Sequence, residues 1–181
     1  TSDVDYTLDG GTVDATTKRG LSLVGGGNLI GTGNAGGTSK QNTLTAASNT
    51  GNTTLIAGTA STTMRGGSGD NWFDATRSQG TVSIQGGTGN STMYAANGPA
   101  TLVGGDKNNF LAAGTATTRT LGQSLVGGRS TNSLHGNTLY GGTGRDTLSS
   151  GAGFSTLISG SNPGVSTTIG AAAALGVTSI R

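Results

Sequence analysis

The fold is decided by the stretch TTLIAGTASTTMRGGSGDNWFDA, residues 53–75, in which Leu55, Met64 and Phe73 stand nine residues apart. Two positions after each of them stands a small residue, first Ala, then Gly, then Ala. This alternation doubles the repeat to eighteen residues, made of two unlike halves of nine. A fixed period of this length indicates a stack of structural repeats rather than a disordered chain.

The nine-residue spacing recurs along the chain, with slips. It becomes eleven residues after Phe73, fourteen after Leu111 and five after Leu134. Because Leu121 also precedes Leu139 by eighteen residues, the register between residues 112 and 138 stays open. Twelve large apolar residues follow the spacing: Leu55, Met64, Phe73, Ile84, Met93, Leu102, Leu111, Leu125, Leu134, Leu139, Leu148 and Leu157.

These positions predict short strands whose central apolar side chain points inward. In a strand the neighbours on either side then face solvent, and the residues two positions away face inward near the corners. One coil cannot bury its own apolar residues, but stacked coils share a thin continuous core. We therefore predict an all-β fold, a β-solenoid with coils of about 18 residues made of two nine-residue half-turns. It covers residues 21–160, between an acidic segment at 1–20 (an edge strand or subunit contact) and an uncharged cap or assembly segment at 161–181.

Composition narrows the function. Gly supplies 36 of 181 residues, hydrophobic residues are 31% and charged residues 10%, and there is no Cys. The chain therefore has no disulfide framework and no Cys-based zinc site. A net charge of +2 with scattered basic residues makes a nucleic-acid partner a poor fit, and no apolar run is long enough to span a membrane.

Two segments carry a family resemblance: GGSGDNWF at 66–73 and GGTGRDTL at 141–148. They resemble the RTX nonapeptide, G-G-x-G-x-D-x-U-x, the repeat of the calcium-binding β-roll family. Weaker copies lie at 86–93, 104–111 and 127–134. The resemblance implies a β-roll from a secreted or cell-surface bacterial protein, in which the sixth-position Asp and loop carbonyls bind Ca²⁺ between coils.

The sixth position departs from that pattern. Among the five copies only Asp146 keeps the carboxylate, while Asn or Ser stands in the others. Since calcium affinity rises with the number of carboxylates, most corners should bind it weakly. We expect Asp70, at the fifth position, and Asp146 to be the side-chain donors of any bound calcium. Stacked amide side chains are expected to replace the metal elsewhere as an inter-coil ladder: Asn71, Asn109, Asn132 and Asn137.

Catalysis is hard to place on this chain. His135 is the single histidine and is expected on the surface, and Glu is absent altogether. No triad, zinc site or Glu-based acid–base pair can then be assembled. We predict that the protein is not an enzyme.

Two outward-facing sets suggest contacts. Trp72, Tyr94 and Phe110 are large aromatic residues among small ones, and they predict either a lateral subunit contact or a surface covered by another part of the same chain. A second set forms a hydroxyl row, whose regularity fits an ice- or carbohydrate-binding face or the ordinary preference of solvent-facing strands. Its members are Thr63, Ser83, Thr101, Ser124, Thr138 and Thr156.

The sequence thus favours a secreted, non-enzymatic structural protein that assembles with copies of itself into a fibre, surface layer or matrix. The alternative is a calcium-dependent RTX module of a larger secreted toxin, enzyme or adhesin. An ice- or carbohydrate-binding face is the third hypothesis.

Overall fold

The computed structural model describes thirteen segments of the chain. They are residues 4–8, 20–22, 27–31, 41–47, 50–59, 61–96, 98–114, 123–128, 136–142, 146–150, 154–158, 168–170 and 178–180. All of the regular structure in these segments is β-strand. No helix long and apolar enough to cross a membrane occurs among them.

The strands are short, three to five residues each. In chain order they are β1 (Val4–Leu8), β2 (Gly20–Ser22), β3 (Gly27–Gly31), β4 (Gln41–Thr45), β5 (Thr53–Ile56), β6 (Ser61–Arg65), β7 (Asn71–Asp74), β8 (Val82–Gln85), β9 (Ser91–Tyr94), β10 (Ala100–Val103), β11 (Asn109–Ala112), β12 (Gln123–Val126), β13 (Gly136–Tyr140), β14 (Thr147–Ser149), β15 (Phe154–Ile158), β16 (Thr168–Gly170) and β17 (Thr178–Ile180).

Successive strands alternate between two parallel sheets. The odd-numbered strands form a nine-stranded sheet in chain order, here called sheet A, and the even-numbered strands form an eight-stranded sheet, sheet B. Every strand pairing among the described residues is parallel and joins strands two apart in the chain, as in β7 with β9. This is a β-solenoid in which each coil contributes one strand to each sheet, so the predicted all-β fold class is confirmed.

The core is a single file of apolar side chains from each sheet. Their registers align Leu55 with Phe73 and Met93 in sheet A, and Met64 with Ile84 and Leu102 in sheet B. Eleven of the twelve predicted apolar residues are at most 1% exposed, and Leu134 lies outside the described residues. Full burial of such a side chain contributes about 1.5–3 kcal/mol, which makes these two files the main source of stability.

The register after residue 112 corrects one prediction. Thr138 and Thr156 do not continue the hydroxyl row of Thr63, Ser83, Thr101 and Ser124 in sheet B. Thr138 pairs with Phe110 in sheet A, and Thr156 follows it there, while Thr147 continues the row in sheet B. The sequence prediction counted Leu134 as the centre of a half-turn, whereas Leu125 and Leu139 belong to consecutive strands in opposite sheets.

The ends of the solenoid are open sheet edges within the described residues. Sheet A ends at β1 and β17, and sheet B ends at β2 and β16. Both terminal segments set apart by the sequence thus contribute strands that continue the stack.

Candidate functional site

The corners of the coil carry its polar chemistry. A B-to-A corner follows a strand of sheet B and precedes one of sheet A, as residues 66–70 do; an A-to-B corner runs the other way. Where Asn closes a B-to-A corner, the first residue of that corner is Gly: a Cβ on Gly66 would lie 2.8 Å from Asn71 Cγ, and one on Gly104 would lie 2.7 Å from Asn109 Cγ. The missing side chain leaves room for an inward-pointing amide.

Asn71 closes the corner that precedes it. Its Oδ1 accepts a hydrogen bond from the Gly67 backbone N–H at 3.1 Å. Its Nδ2 donates to the carbonyl oxygens of Gly67 and Gly69, at 3.2 and 2.8 Å. The residue is 4% exposed, so one buried amide satisfies three buried or half-buried backbone groups of the turn.

Asn109 repeats this arrangement two coils later. Its Oδ1 accepts from the Gly105 N–H at 2.9 Å, and its Nδ2 donates to the carbonyls of Gly105 and Lys107 at 3.1 and 2.8 Å. The same Nδ2 also reaches Asn137 Oδ1 of the next coil at 2.8 Å. The two asparagines therefore close their own corner and join neighbouring coils.

These asparagines belong to the inner column of sheet A, which we define as the inward residues two positions before each central apolar residue. All members are at most 4% exposed. Of the asparagines predicted to form a ladder, Asn71, Asn109 and Asn137 lie in this column, Ser91 separates the first two, and Asn132 is outside the described residues. The described members are Thr53, Asn71, Ser91, Asn109, Asn137 and Ser155.

Gln123, which was missed from the sequence, has a related role on the A-to-B side, where its amide bridges its own corner and that of the preceding coil. Its Nε2 donates to the carbonyls of Ala96 and Gly98 at 2.9 and 3.3 Å, and its Oε1 accepts from the Gly114 N–H at 3.0 Å. It is 2% exposed. Its place two positions before Leu125 was the available signal, since Asn71 and Asn109 hold the same position relative to Phe73 and Leu111.

Asp146 occupies the same position one coil further on. Its Oδ1 accepts from the Gln123 backbone N–H at 3.1 Å, but its Oδ2 has no hydrogen-bond partner among the described residues. The side chain is 2% exposed. Burial raises the pKa of this carboxyl above its ordinary value of 3.8, against the opposing effect of hydrogen bonds from the Gln123 and Gly142 backbone. A carboxylate cannot donate to turn carbonyls as an amide does.

Asp70 lies elsewhere. It is exposed on the outer side of a B-to-A corner, where its Oδ1 accepts from Asn90 N–H and Nδ2 at 3.3 and 2.9 Å. Asp70 and Asp146 therefore stand at opposite corners and do not share a site. Within the described residues no three His, Cys, Asp or Glu side chains are grouped to hold a metal ion.

Asp70 belongs to a second ladder that sequence reasoning did not find. In each step a backbone N–H donates to the Oδ1 of the residue one coil earlier: Asp70 to Asn52 at 3.0 Å, and Asn108 to Asn90 at 3.2 Å. The signal was a column of Asn and Asp at the fifth repeat position. We call this the outer ladder: Asn52, Asp70, Asn90 and Asn108.

The aromatic residues form one strip on the outer face of sheet A. Trp72 and Tyr94 have ring centroids 5.1 Å apart, and Tyr94 and Phe110 are 5.8 Å apart. Tyr140 extends the strip at 5.9 Å from Phe110; the sequence missed it because the register there was open. Trp72 is 44% exposed and Tyr140 43%, so both ends of this aromatic strip face solvent. His135 lies outside the described residues.

Comparison with known proteins agrees with this geometry. The family model of the RTX calcium-binding nonapeptide repeat matches residues 48–82 and 126–157, in four copies. No curated protein and no solved structure matches the chain. The matched segments include the Asn71 corner and the Asp146 corner. Repeats of this kind bind calcium and are typical of secreted bacterial proteins. Two segments of this chain, residues 48–82 and 126–157, thus match the RTX calcium-binding nonapeptide repeat, and they lie within a β-solenoid fold.

Proposed function

We propose that the protein is a non-enzymatic structural module that binds calcium at the Asp146 corner and holds its other described polar corners together with its own side-chain amides. The observation that carries this proposal is the carboxylate of Asp146, 2% exposed, with an Oδ2 that has no partner among the described residues. A buried charged oxygen without a partner is costly unless a cation neutralises it.

The donor set at this corner suits a hard cation. Calcium takes six to eight oxygen ligands, from carboxylates, backbone carbonyls and water. Asp146 supplies carboxylate oxygen, and a carboxylate, unlike an amide, cannot itself donate to turn carbonyls, which leaves them available as ligands. With a single carboxylate we expect weak binding, with a Kd on the order of 10⁻⁴–10⁻³ M, the range of extracellular calcium modules.

Thermal unfolding with calcium and with a chelator tests this proposal. Calcium at about 100 times its Kd should raise the Tm of the wild-type chain by roughly 5–10 °C. The D146N variant keeps the size of the side chain and removes the charge, so its Tm should be the same in both conditions. A wild-type Tm that does not change with calcium, or a D146N Tm that rises as much as that of wild type, would contradict a calcium site at Asp146.

A second candidate function is self-assembly through the outer face of sheet A. The aromatic strip supports it, because four rings in contact expose apolar surface on a face whose outward residues in the strands from β5 to β15 include one charged side chain, Asp74. Aromatic residues and few charges are characteristic of the centre of protein interfaces. In this role the module would be a subunit of a fibre, surface layer or matrix.

Sedimentation velocity and negative-stain microscopy over a concentration series test self-assembly. The variant W72T/Y140T replaces two of the rings by Thr. Sheet A already has Thr at the outward positions 54 and 138, so the coil should stay folded. T101S, on the outer face of sheet B, is the matched control. We expect wild type and T101S to assemble and the double variant to remain monomeric. A monomeric wild-type chain, or a double variant that assembles equally well, overturns this candidate.

A further inference from the structure

We infer that the amide nitrogens of Asn71 and Asn109 occupy the positions that a bound cation would take in their corners. Because of these two residues, their corners close without a metal ion. The inference rests on the proposed function that a carboxylate corner of this coil takes calcium. It extends that proposal by naming the residues that determine which corners bind calcium.

Asn109 Nδ2 has the surroundings of a bound cation. Three oxygen atoms converge on it: the carbonyl oxygens of Gly105 and Lys107 at 3.1 and 2.8 Å, and Asn137 Oδ1 at 2.8 Å. A carboxamide nitrogen carries only two hydrogens for these three acceptors. Two of the oxygens come from the turn and the third from the neighbouring coil, so the nitrogen ties coil to coil as an inter-coil ion would.

Asn71 Nδ2 occupies a smaller version of the same cage. It donates to the carbonyls of Gly67 and Gly69, the second and fourth residues of its repeat, which correspond to Gly105 and Lys107. The next coil presents Ser91, whose Oγ has no hydrogen-bond partner among the described residues, instead of an amide oxygen. Asn71 Nδ2 therefore has two oxygen acceptors, whereas Asn109 Nδ2 has three.

Replacing this nitrogen by oxygen should create a cation site. In N109D the Oδ1 keeps the Gly105 N–H as its donor, while the second carboxylate oxygen faces three other oxygens at hydrogen-bond distance with no proton between them. Without a cation these atoms repel one another. With Ca²⁺ the two carboxylate oxygens and the three surrounding ones would supply five ligands, and water the remainder of six to eight.

The experiment measures thermal unfolding of N109D in the full chain carrying D146N, with calcium chloride and with a chelator. The D146N background removes the proposed natural site. We expect the Tm of N109D to fall below that of the background in chelator and to rise by roughly 5–10 °C in calcium at about 100 times its Kd. N109L, which fills the space without polar atoms, is the control and should be destabilised equally in both conditions.

N71D in the same background should gain less from calcium than N109D, because its cage has fewer oxygens. If neither variant gains thermal stability from calcium, whether folded or unfolded in chelator, the inference is overturned. That result leaves the Asp146 proposal standing if wild type responds to calcium and D146N does not. A calcium response lost in D146N but gained in N109D supports both.

Discussion

The inner columns of the two sheets have the same backbone position and different chemistry. In sheet A the column is polar along the described coils, from Thr53 to Ser155, and contains no charge. The inner column of sheet B is defined in the same way. From Thr62 onward it contains a hydroxyl residue, two apolar residues, an amide and a carboxylate, in this order: Thr62, Val82, Ala100, Gln123 and Asp146. All of these residues are at most 5% exposed.

The difference teaches that one coil geometry accepts inner side chains of very different chemistry. An amide that donates to turn carbonyls and accepts from a turn N–H satisfies these groups within one corner, as Asn71 does, or across the corners of two coils, as Gln123 does. A small apolar residue such as Ala100 makes no side-chain hydrogen bond and leaves the corner to backbone bonds between coils. A carboxylate accepts but does not donate, and among these described inner positions only Asp146 carries one, which is why we propose the cation there.

The largest expected effect comes from breaking the amide column at Asn137. This side chain accepts from Asn109 Nδ2 at 2.8 Å and donates to the carbonyl of Ser150 at 3.1 Å. N137L would leave several buried polar groups unpaired, and we expect a loss of about 3 kcal/mol in the free energy of unfolding, measured by urea denaturation.

The matched control for N137L is S91A in the same column. Ser91 Oγ is buried without a partner among the described residues, so its removal should leave the free energy of unfolding unchanged or slightly higher. A cost for S91A as large as that of N137L would show that the column is stabilised by something other than amide hydrogen bonds.

Gln123 is the buried amide of the sheet B inner column and can be compared with Asn137 of sheet A. Its amide makes the same type of bonds as that of Asn109, but none of them joins it to another amide side chain of the next coil. We expect Q123L to cost about 2 kcal/mol, less than N137L. The same urea experiment checks the order of the two. If Q123L cost more, the amide-to-amide bond between Asn109 and Asn137 would not be the source of the extra stability in sheet A.

The dependence of stability on pH comes next in size. Because burial raises the pKa of Asp146, the folded chain holds this proton more tightly than the unfolded chain does. In chelator, wild-type stability should therefore fall as pH rises from about 3.8 through the folded pKa and stay lower above it.

The variant D146N lacks this titration. The two chains should have similar stability at about pH 3 and diverge toward pH 7, with D146N the more stable, by about 1.4 kcal/mol for each unit of pKa shift. Urea midpoints across this range give the difference. Parallel pH profiles for the two chains would mean that the Asp146 carboxyl is not held in an unfavourable environment.

The smallest effect is expected in the outer ladder. At a corner partly open to solvent, Asn90 Nδ2 donates to Asp70 Oδ1 at 2.9 Å, and Asn90 Oδ1 accepts from the Asn108 N–H at 3.2 Å. Water can replace such bonds, so N90A should cost about 0.5–1 kcal/mol. A loss as large as that of N137L would place the outer ladder on a par with the inner column.

The sequence predicted the parts of this fold that depend on periodicity. Alternation in strands placed Met64, Met93, Leu102 and Leu148 inside, and all four are fully buried. It could not predict which sheet Thr138 belongs to, because corners vary in length without changing the strands they join. The chemistry of the corners could be predicted only in part. The amides of Asn71 and Asn109 were found from their repeat position, but Gln123, which holds the corresponding position before Leu125, was missed because Gln is not a residue type of the repeat.

Calcium titration of wild type and D146N by isothermal calorimetry, with circular dichroism of both chains in chelator, tests the central claim most directly. Our account predicts that D146N binds one calcium ion fewer than wild type and that both chains keep their β-sheet spectrum without calcium, since the neutral corners are closed by amides. Equal calcium stoichiometry, or loss of the β-sheet signal in both chains when calcium is removed, would contradict it.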